Sequence, residues 1–283
     1  MSSINKPDIR WQMQIVISMC LGYGMLMLCR TVVGVAGPAM LADPALTLDV
    51  ATFGAILGWG TAGNLTGKLT TGVLADKLGG RKVFVWAVFL AAITTFVFGT
   101  LSSNIAFFAL YFLTVFAKSA GWPSMANIIR VCFVQAKHGR VWGFIATSSR
   151  ISSVATTLLV SSLLLLMSWR GLFYMAGVLA FLGAIILSRY LRSAWQSAGK
   201  LAGQSEQTSE SLTSRSKNHP LSEIETHSAI YIFIKNPRFW LICLGVSSLA
   251  VLFEFQVFIP IYLSETFSLM PAHAGMASSA FPL

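Results

Sequence analysis

Charged residues are scarce in this sequence. Asp, Glu, Lys and Arg together make up 11% of the 283 residues, whereas soluble domains typically carry about 25%. Hydrophobic residues make up 55%, and the mean hydropathy is +0.71. This composition excludes a soluble globular domain and is typical of a polytopic helical membrane protein.

Cysteine is also sparse, and the four cysteines lie within or beside apolar runs. They show neither a CxxC pattern nor the Cys/His spacing of a metal site, so the sequence predicts no metal centre and no disulfide framework. The four histidines lie in predicted loops without ligand spacing. Because the sequence also contains no recognisable nucleophile and base constellation, we expect no cofactor and no enzymatic activity.

Acidic residues number 10 against 20 basic ones, which gives a formal net charge of +10. The cations lie at the ends of apolar runs rather than in a patch on a soluble face, so we expect a lipid bilayer as partner and no nucleic acid. Fifteen of the 20 Lys and Arg residues fall on one side of the predicted membrane, and only Arg170 falls on the other. This asymmetry predicts a multi-pass protein of the cell (inner) membrane with a cytoplasmic amino terminus.

Seven apolar runs are each long enough to cross a bilayer of about 30 Å as a helix. The predicted fold class is therefore all-α, a polytopic transmembrane helical bundle. We expect a six-helix bundle over residues 1–191, a cytoplasmic flexible linker over 192–238, and a seventh helix with the truncated start of a second bundle over 239–283. The runs cover about residues 13–41, 50–74, 83–101, 105–129, 141–167, 172–187 and 239–263.

The connection between the second and third runs concentrates glycine and charge in eleven residues. Its short length predicts an antiparallel helical hairpin, and its three cations predict a cytoplasmic position. Asp76 is placed to meet a helix N-terminus or Arg81, while Gly72 and Gly79 permit close helix and backbone approach. The residues of interest in this loop are Gly72, Asp76, Lys77, Gly79, Arg81 and Lys82.

This loop resembles the signature that the major facilitator superfamily of secondary transporters carries between its second and third helices. The six helices, long linker and further helix are similar to that superfamily's layout, which implies two six-helix halves with the substrate between them. Arg30 followed by Pro38, Lys68 before Asp76, and the Gly121–Pro123 stretch are similar to sugar-phosphate permeases of the organophosphate/phosphate antiporter family. Related anion/cation symporters share an arginine in the first helix.

Two positions depart from the antiporter pattern. Those antiporters carry a histidine where Arg150 aligns, and an arginine in the seventh helix near Leu252. The resemblance implies that their first-helix and seventh-helix arginines clamp phosphate together. This chain has no cation near Leu252 to match the seventh-helix arginine, and an acid, Glu254, lies nearby.

Four cations lie inside the apolar runs, where a charge costs at least about 2.5–3.5 kcal/mol unless it reaches water or a partner. Arg30 is expected near the midplane, and its planar guanidinium suits a carboxylate or phosphate; structural bonding to backbone carbonyls is the alternative. Lys118 is either an anion contact or a structural interhelical donor. Lys68 is either a cavity cation or an interfacial anchor that snorkels. The predicted substrate-binding set is Arg30, Lys68, Lys118 and Arg150.

Glu254 also has two interpretations. It is either a titratable group for proton coupling or an ion-pair partner for a cation of the first six helices. The resulting hypothesis is secondary active transport of a small organic anion, an organophosphate or a carboxylate, by alternating access, with protons or phosphate as coupling ion. The alternative is a non-transporting membrane sensor or a degenerate transporter remnant, since the chain ends after the predicted seventh helix.

Overall fold

The computed structural model describes residues 7–203, 234–255 and 258–280, and its regular elements are α-helices. The predicted all-α fold class is therefore confirmed. Ten helices follow one another in the described ranges: α1 Pro7–Leu41, α2 Val50–Leu78, α3 Gly80–Thr100, α4 Asn104–Ser119, α5 Gly121–Cys132, α6 Gln135–Leu163, α7 Trp169–Gly203, α8 Pro237–Phe255, α9 Ile259–Phe267 and α10 Pro271–Ser278.

The chain divides into two compact units. One unit contains Met1–Ala194 and Gln256–Leu283, and the other contains Trp195–Phe255. Within its described residues, the second unit holds the end of α7 and helix α8. Helix α7 continues to Gly203, inside the segment 192–238 that the sequence predicts as a linker. Residues 204–233 of that segment lie outside the described residues, so the predicted domain limits remain predictions.

Four stretches of the described helices are long and apolar enough to cross a membrane, namely Arg10–Leu41, Gly80–Thr100, Asn104–Cys132 and Trp169–Arg192. Helices α2 and α6, which correspond to the second and fifth predicted runs, are long helices but are not among these four. Serine, threonine, glycine and charged residues lower their hydropathy. This composition favours two helices that border a polar space in addition to lipid.

The fourth predicted run is not one continuous helix. Helix α4 ends at Ser119, Ala120 forms the joint, and α5 begins at Gly121. Pro123 lacks a backbone N–H and its ring collides with the carbonyl four residues earlier, which is that of Ser119. The break therefore lies one helical turn before the proline, and it separates Lys118 from Trp122.

Helices α2 and α4 pack closely through a row of glycines. A Cβ atom at Gly63 would lie 2.5 Å from the Phe112 carbonyl oxygen, and one at Gly67 would lie 2.9 Å from the Phe116 carbonyl oxygen. Only glycine permits this approach, as expected for small residues four apart at a membrane helix contact. One turn earlier, Gly60 contacts the Tyr111 ring in the same way.

A stack of aromatic rings joins α3, α4 and α7 at the end of the bundle opposite the α2–α3 connection. The ring of Phe98 lies between those of Phe107 and Phe173, with centroid separations of 4.5 and 4.6 Å. All three side chains are fully buried. Trp169 meets Phe173 edge to face within α7, and the stack of Phe173 on Phe98 holds the start of α7 against the end of α3.

Helices α9 and α10 belong to the same unit as α1–α6 and pack against α1 and α6. A Cβ at Gly37 would lie 3.4 Å from the Ile261 side chain, and one at Gly275 would meet both Val35 and Ser161. These contacts lie in the last third of α1 and near the end of α6. The start of the predicted second bundle therefore covers this end of the first.

Candidate anion site between helices α1, α5 and α6

Two polar side chains of α1 share one face of the helix. Tyr23 and Arg30 are seven residues apart, which is nearly two full turns, so their side chains project in almost the same direction about 10 Å apart along the axis. Tyr23 is buried and Arg30 is half-buried. The face contains both a hydroxyl and a guanidinium inside an otherwise apolar helix.

Helix α6 lies beside α1 in a parallel orientation. A Cβ at Gly24 would lie 3.5 Å from the Ser152 hydroxyl oxygen, and farther along both helices Val35 and Ser161 meet at Gly275. In this register Arg150 lies level with the Gly22–Tyr23 step of α1. Arg30 lies about 12 Å farther along, at about 1.5 Å per residue.

An aromatic group connects α1, α5 and α6 at this level. The Trp122 indole N–H donates a 2.9 Å hydrogen bond to the Tyr23 hydroxyl oxygen, and their rings meet edge to face at 5.5 Å. Trp122 also stacks on Trp142 of α6, with centroids 5.4 Å apart and planes 13° apart. Because indole nitrogen is only a donor, the Tyr23 oxygen is the acceptor, and its own proton is available to another partner.

The charges of the predicted cations Arg30 and Arg150 both act on the Tyr23 side chain. Both contributions are smaller than the effects of burial and of the Trp122 hydrogen bond on this side chain. Arg150 is exposed and each arginine has further interactions. Two of the four predicted substrate-binding residues therefore act electrostatically on the same tyrosine side chain.

The other two predicted cations lie elsewhere. Lys118 is buried at the last turn of α4, one helical turn before Trp122 across the Ala120 joint, and it has interactions of its own. Lys68 is exposed on α2, directly after Gly67, which packs on α4. Lys118 is therefore next to the aromatic group along the chain, whereas Lys68 lies on a different helix surface.

The predicted gating loop is reduced to one residue, because α2 ends at Leu78 and α3 begins at Gly80. Gly79 has φ of 87°, a backbone conformation that favours glycine. A Cβ at Gly72 would meet no atom within 4 Å, so the close approach expected there is not found in this conformation. Gly80 does make such an approach, to the Ser124 carbonyl of α5.

Asp76 contacts α5 at this connection. Its carboxylate accepts a 3.1 Å hydrogen bond from the Asn127 amide nitrogen and lies 3.7 Å from the Arg130 guanidinium. The Asn127 side-chain oxygen accepts the Gly80 backbone N–H at 3.0 Å, at the start of α3. Asn127 thus links the Asp76 carboxylate to a helix N-terminus. Lys77 and Lys82 are exposed and Arg81 is half-buried.

A second polar group closes the opposite end of the bundle. Arg170 donates to the carbonyls of Gly99 and Leu101 and to the Ser102 hydroxyl, at 3.0, 2.8 and 2.9 Å. Its guanidinium also covers the Trp169 ring at 4.2 Å. The one basic residue expected on this side therefore satisfies carbonyl groups at the end of α3.

Asp43, in the connection between α1 and α2, completes this group. Its carboxylate accepts hydrogen bonds from the Ala45 backbone N–H and the Trp169 indole N–H, both at 2.9 Å. The Ala45 hydrogen bond foremost, then that from Trp169 and the charge of Arg170, lower the pKa of Asp43 below its ordinary value. The carboxylate thus stays ionised and holds the α1–α2 connection to α7.

Comparison with known proteins decides the family. The profile of the Major Facilitator Superfamily matches residues 19–283. The chain belongs to the Major Facilitator Superfamily. The resemblance predicted from the loop between the second and third helices is therefore confirmed.

The curated relatives that this chain resembles have different stated roles. The chain is 26% identical to the membrane sensor protein UhpC of Salmonella typhimurium over 96% of this chain and 61% of the relative. It is 28% identical to sugar phosphate exchanger 3 of Xenopus laevis over 43% of this chain and 25% of the relative. It is 21% identical to the probable galactarate/D-glucarate transporter GudP of Escherichia coli over 60% of this chain and 39% of the relative. The chain spans less than two thirds of each relative's length.

Solved structures show the same superfamily fold. A bacterial homologue of the human lysosomal transporter Spinster, in an inward-facing and occupied conformation, matches with a TM-score of 0.70 and 17% identity. The match covers 96% of this chain and 58% of that one. In the unoccupied inward-facing conformation the TM-score is 0.67 and the identity 15%. At these identities the likeness concerns the fold alone.

Several residues of this superfamily member have roles that the sequence alone did not indicate. Trp122 donates a hydrogen bond to the Tyr23 hydroxyl and stacks on Trp142, so the two rings connect α1, α5 and α6. Asn127 joins the gating loop to α5 although it is 51 residues from Asp76. In the sequence, the one pointer to the Tyr23 contact was Trp122, a hydrogen-bond donor within the Gly121–Pro123 stretch. Glu254 lies on α8 but its side chain is outside the described part of the structure, so both interpretations of it stay open.

Proposed function

We propose that this Major Facilitator Superfamily member serves secondary transport of a small organic anion by alternating access. The observation that carries the proposal is that Arg30 and Arg150, both inside the helical bundle, act electrostatically on Tyr23, whose hydroxyl accepts the Trp122 hydrogen bond. Guanidinium groups inside a membrane bundle are costly and mark a ligand path. Their donors match carboxylate and phosphate oxygens.

The substrate class in this proposal is an organophosphate or a sugar-derived carboxylate. The names of the relatives support both, since one is a sugar phosphate exchanger and another a probable galactarate/D-glucarate transporter. Lys118 and Lys68 serve as additional cations on the substrate path. Protons or phosphate are the coupling ions, and Glu254 is either a proton carrier or an ion-pair partner.

Opening and closing at the two ends of the bundle accompany transport in this proposal. Contacts of α9 and α10 with α1 and α6 close one end. The Asp76, Asn127 and Gly80 group forms the gating connection at the other, which is the cytoplasmic side of the inner membrane by the distribution of Lys and Arg.

Uptake into proteoliposomes tests the proposal. Purified 283-residue protein is reconstituted, and entry of radiolabelled glycerol 3-phosphate and D-glucarate is measured with and without a proton or phosphate gradient. Saturable uptake that falls at least about tenfold in Arg30→Gln, and not in the exposed Arg140→Gln, supports it. If neither anion is taken up, transport by this chain is contradicted. If uptake is saturable but unchanged in Arg30→Gln, the assignment of Arg30 to the site is contradicted.

A membrane sensor is the second candidate function. The observation that favours it is the 26% identity to a membrane sensor protein over 96% of this chain. A sensor binds its ligand without moving it across the membrane. Saturable anion binding to the purified chain, combined with no flux in the same liposomes, would favour the sensor over the transporter.

A further inference from the structure

Helices α3 and α7 lie side by side and run in opposite directions. Near the end of α3, the Phe96 and Tyr174 rings meet with their centroids 5.2 Å apart. Closer to the α2–α3 connection, the Phe89 and Phe181 rings meet edge to face at 5.3 Å. Both steps are seven residues, backwards along α3 and forwards along α7, so the antiparallel register is kept over about two turns.

The same register continues to the α2–α3 connection. A Cβ atom at Gly22 of α1 would lie 2.7 Å from the Phe84 ring and 2.9 Å from the Leu187 side chain. Lys82 comes two residues before Phe84, and Arg189 comes two residues after Leu187. Two residues correspond to about 3 Å along a helix and about 200° around it. Lys82 and Arg189 therefore lie level with each other, on the sides of α3 and α7 that face away from α1.

Positive charge at this place is not balanced within the two helices. Lys82 and Arg189 are exposed, and so is Arg192, about one turn farther along α7. Neither α3 nor α7 contains an Asp or a Glu. Asp76, at the end of neighbouring α2, is turned towards α5, where it lies 3.7 Å from the Arg130 guanidinium. An anion outside the bundle would therefore meet three cations here and no acid from either helix.

Towards the middle of the helices, the surface between α3 and α7 becomes aromatic and apolar. Trp86 is 72% exposed and lies one turn from Lys82 on the same face of α3. Its ring meets that of Phe89 at 6.5 Å, and Phe89 meets Phe181 of α7. Exposed aliphatic side chains of both helices continue this surface, namely Leu90, Ile93, Leu182 and Ile186. Cations, an interfacial ring and hydrocarbon thus follow one another in the order in which a phospholipid places its phosphate, glycerol and acyl chains.

We propose that the groove between α3 and α7 binds an anionic phospholipid. The headgroup phosphate contacts Lys82, Arg189 and Arg192, and an acyl chain lies along Trp86 and the apolar surface beyond it. By the distribution of Lys and Arg, this is a lipid of the cytoplasmic leaflet, where basic pockets between helices bind anionic headgroups. The apolar surface selects a lipid over a free phosphate ion, because only a lipid fills both parts of the groove. The site is on the outside of the bundle and is independent of the anion that is transported.

Quenching of Trp86 fluorescence by brominated lipids tests this proposal on the 283-residue protein. The protein is reconstituted into vesicles of equal parts phosphatidylglycerol and phosphatidylcholine, with bromine on the acyl chains of one lipid at a time. The Trp86 signal is the difference between the unmodified protein and Trp86→Phe. Because each nearby cation strengthens the binding of an anionic lipid about fivefold, we expect phosphatidylglycerol to occupy the groove at least about tenfold more often than phosphatidylcholine. Equal occupancy would overturn the proposal.

Variants that remove charge locate the site. Lys82→Gln combined with Arg189→Gln is expected to lower the lipid preference at Trp86 at least about fivefold. The matched control is Arg10→Gln combined with Arg140→Gln, which removes two exposed cations of α1 and α6 at the same end of the bundle. We expect this control to keep the preference.

Thermal unfolding of each variant shows whether it is folded. If the Lys82→Gln change prevents folding, Arg189→Gln alone is compared with Arg140→Gln alone, and a smaller loss in the same direction is expected. The phosphatidylglycerol that co-purifies with each protein, measured by mass spectrometry, gives the same comparison without the fluorescent reporter.

Three results would overturn the site. A preference that survives the loss of Lys82 and Arg189 would show that these cations do not hold the headgroup. An equal loss in the control pair would show that the charge of the whole surface attracts the lipid. Displacement of the brominated phosphatidylglycerol by millimolar glycerol 3-phosphate would show that a free phosphate ester, rather than a lipid, is the ligand. Absence of anion flux contradicts the proposed function and leaves this lipid site standing.

Discussion

The Asp76 carboxylate and the Gly80 backbone N–H are bound to opposite ends of the same Asn127 amide, at 3.1 and 3.0 Å. One buried side chain therefore fixes a carboxylate at the end of α2 and the N-terminus of α3 to helix α5. An amide satisfies both because it is donor and acceptor at once. Asn127 therefore holds the connection between α2 and α3 from outside it, since it lies on α5.

Asn127→Ala is expected to lower the free energy of unfolding by about 2 kcal/mol, because it removes two hydrogen bonds and leaves the buried Gly80 N–H without its acceptor. Arg130→Ala is the comparison, since its exposed ion pair with Asp76 contributes less than about 1 kcal/mol. Thermal unfolding in detergent measures both. Equal effects of the two changes would show that the amide does not have this linking role.

Gly63→Ala is expected to destabilise the bundle by about 1–3 kcal/mol, because the new methyl group would press on the Phe112 carbonyl and separate α2 from α4. Gly58→Ala on the same helix is its matched control, since a Cβ there meets nothing within 4 Å. That change should be neutral or stabilise by up to about 1 kcal/mol through helix propensity. A destabilised Gly58→Ala, or a neutral Gly63→Ala, would contradict this packing.

Arg170→Lys is expected to lower the melting temperature although the charge is kept. An ammonium group cannot reproduce the fork that bonds Gly99, Leu101 and Ser102, and the destabilisation should be about 1–2 kcal/mol. Arg192→Lys on the same helix is the control, because Arg192 is exposed. If both variants melt at the same temperature as the unmodified protein, the fork does not stabilise this end.

Acid is expected to weaken the contact between Asp43 and Trp169. The hydrogen bonds from Ala45 and Trp169 and the charge of Arg170 lower the pKa of Asp43 in the folded protein from 3.8. A lowered folded pKa means that the stabilisation is fully present above the unfolded value and disappears as the pH falls through the folded one. The melting-temperature gap between the unmodified protein and Asp43→Asn should therefore close below about pH 4.

Trp169→Phe provides the control for the acid experiment, since it keeps a ring and removes the N–H that Asp43 accepts. We expect a smaller pH-dependent gap between this variant and its double mutant with Asp43→Asn. A gap of unchanged size would show that the indole N–H does not contribute to the lowered pKa.

Composition and charge asymmetry were sufficient to predict the helical fold, because a bilayer demands long apolar helices and places cations at their ends. The Gly63 and Gly67 spacing similarly predicts close helix packing, although not that α4 is the partner. The α4–α5 break follows from Pro123, yet the run of apolar residues concealed it. Hydropathy is averaged over a window and does not register a single missing N–H.

The candidate site was predictable only in part. Arg30 and Arg150 stand out because a cation inside an apolar run is expensive. Their relation to Tyr23 depends on the lateral register of α1 and α6, which no local pattern specifies. The Tyr23 and Trp122 hydrogen bond spans 99 residues of sequence. Pairings of this kind arise from packing and must be read from the folded chain.

The interface of α9 and α10 with α1 and α6 is stabilised by apolar packing. At Gly37 and Gly275 the surfaces meet through a bare backbone, an Ile261 methyl group and a small serine. Surfaces of this kind adhere by many weak dispersion contacts, each about 0.1–0.2 kcal/mol, rather than by a few strong bonds. Because no single contact dominates this interface, small changes in side-chain size along it should change how often it opens.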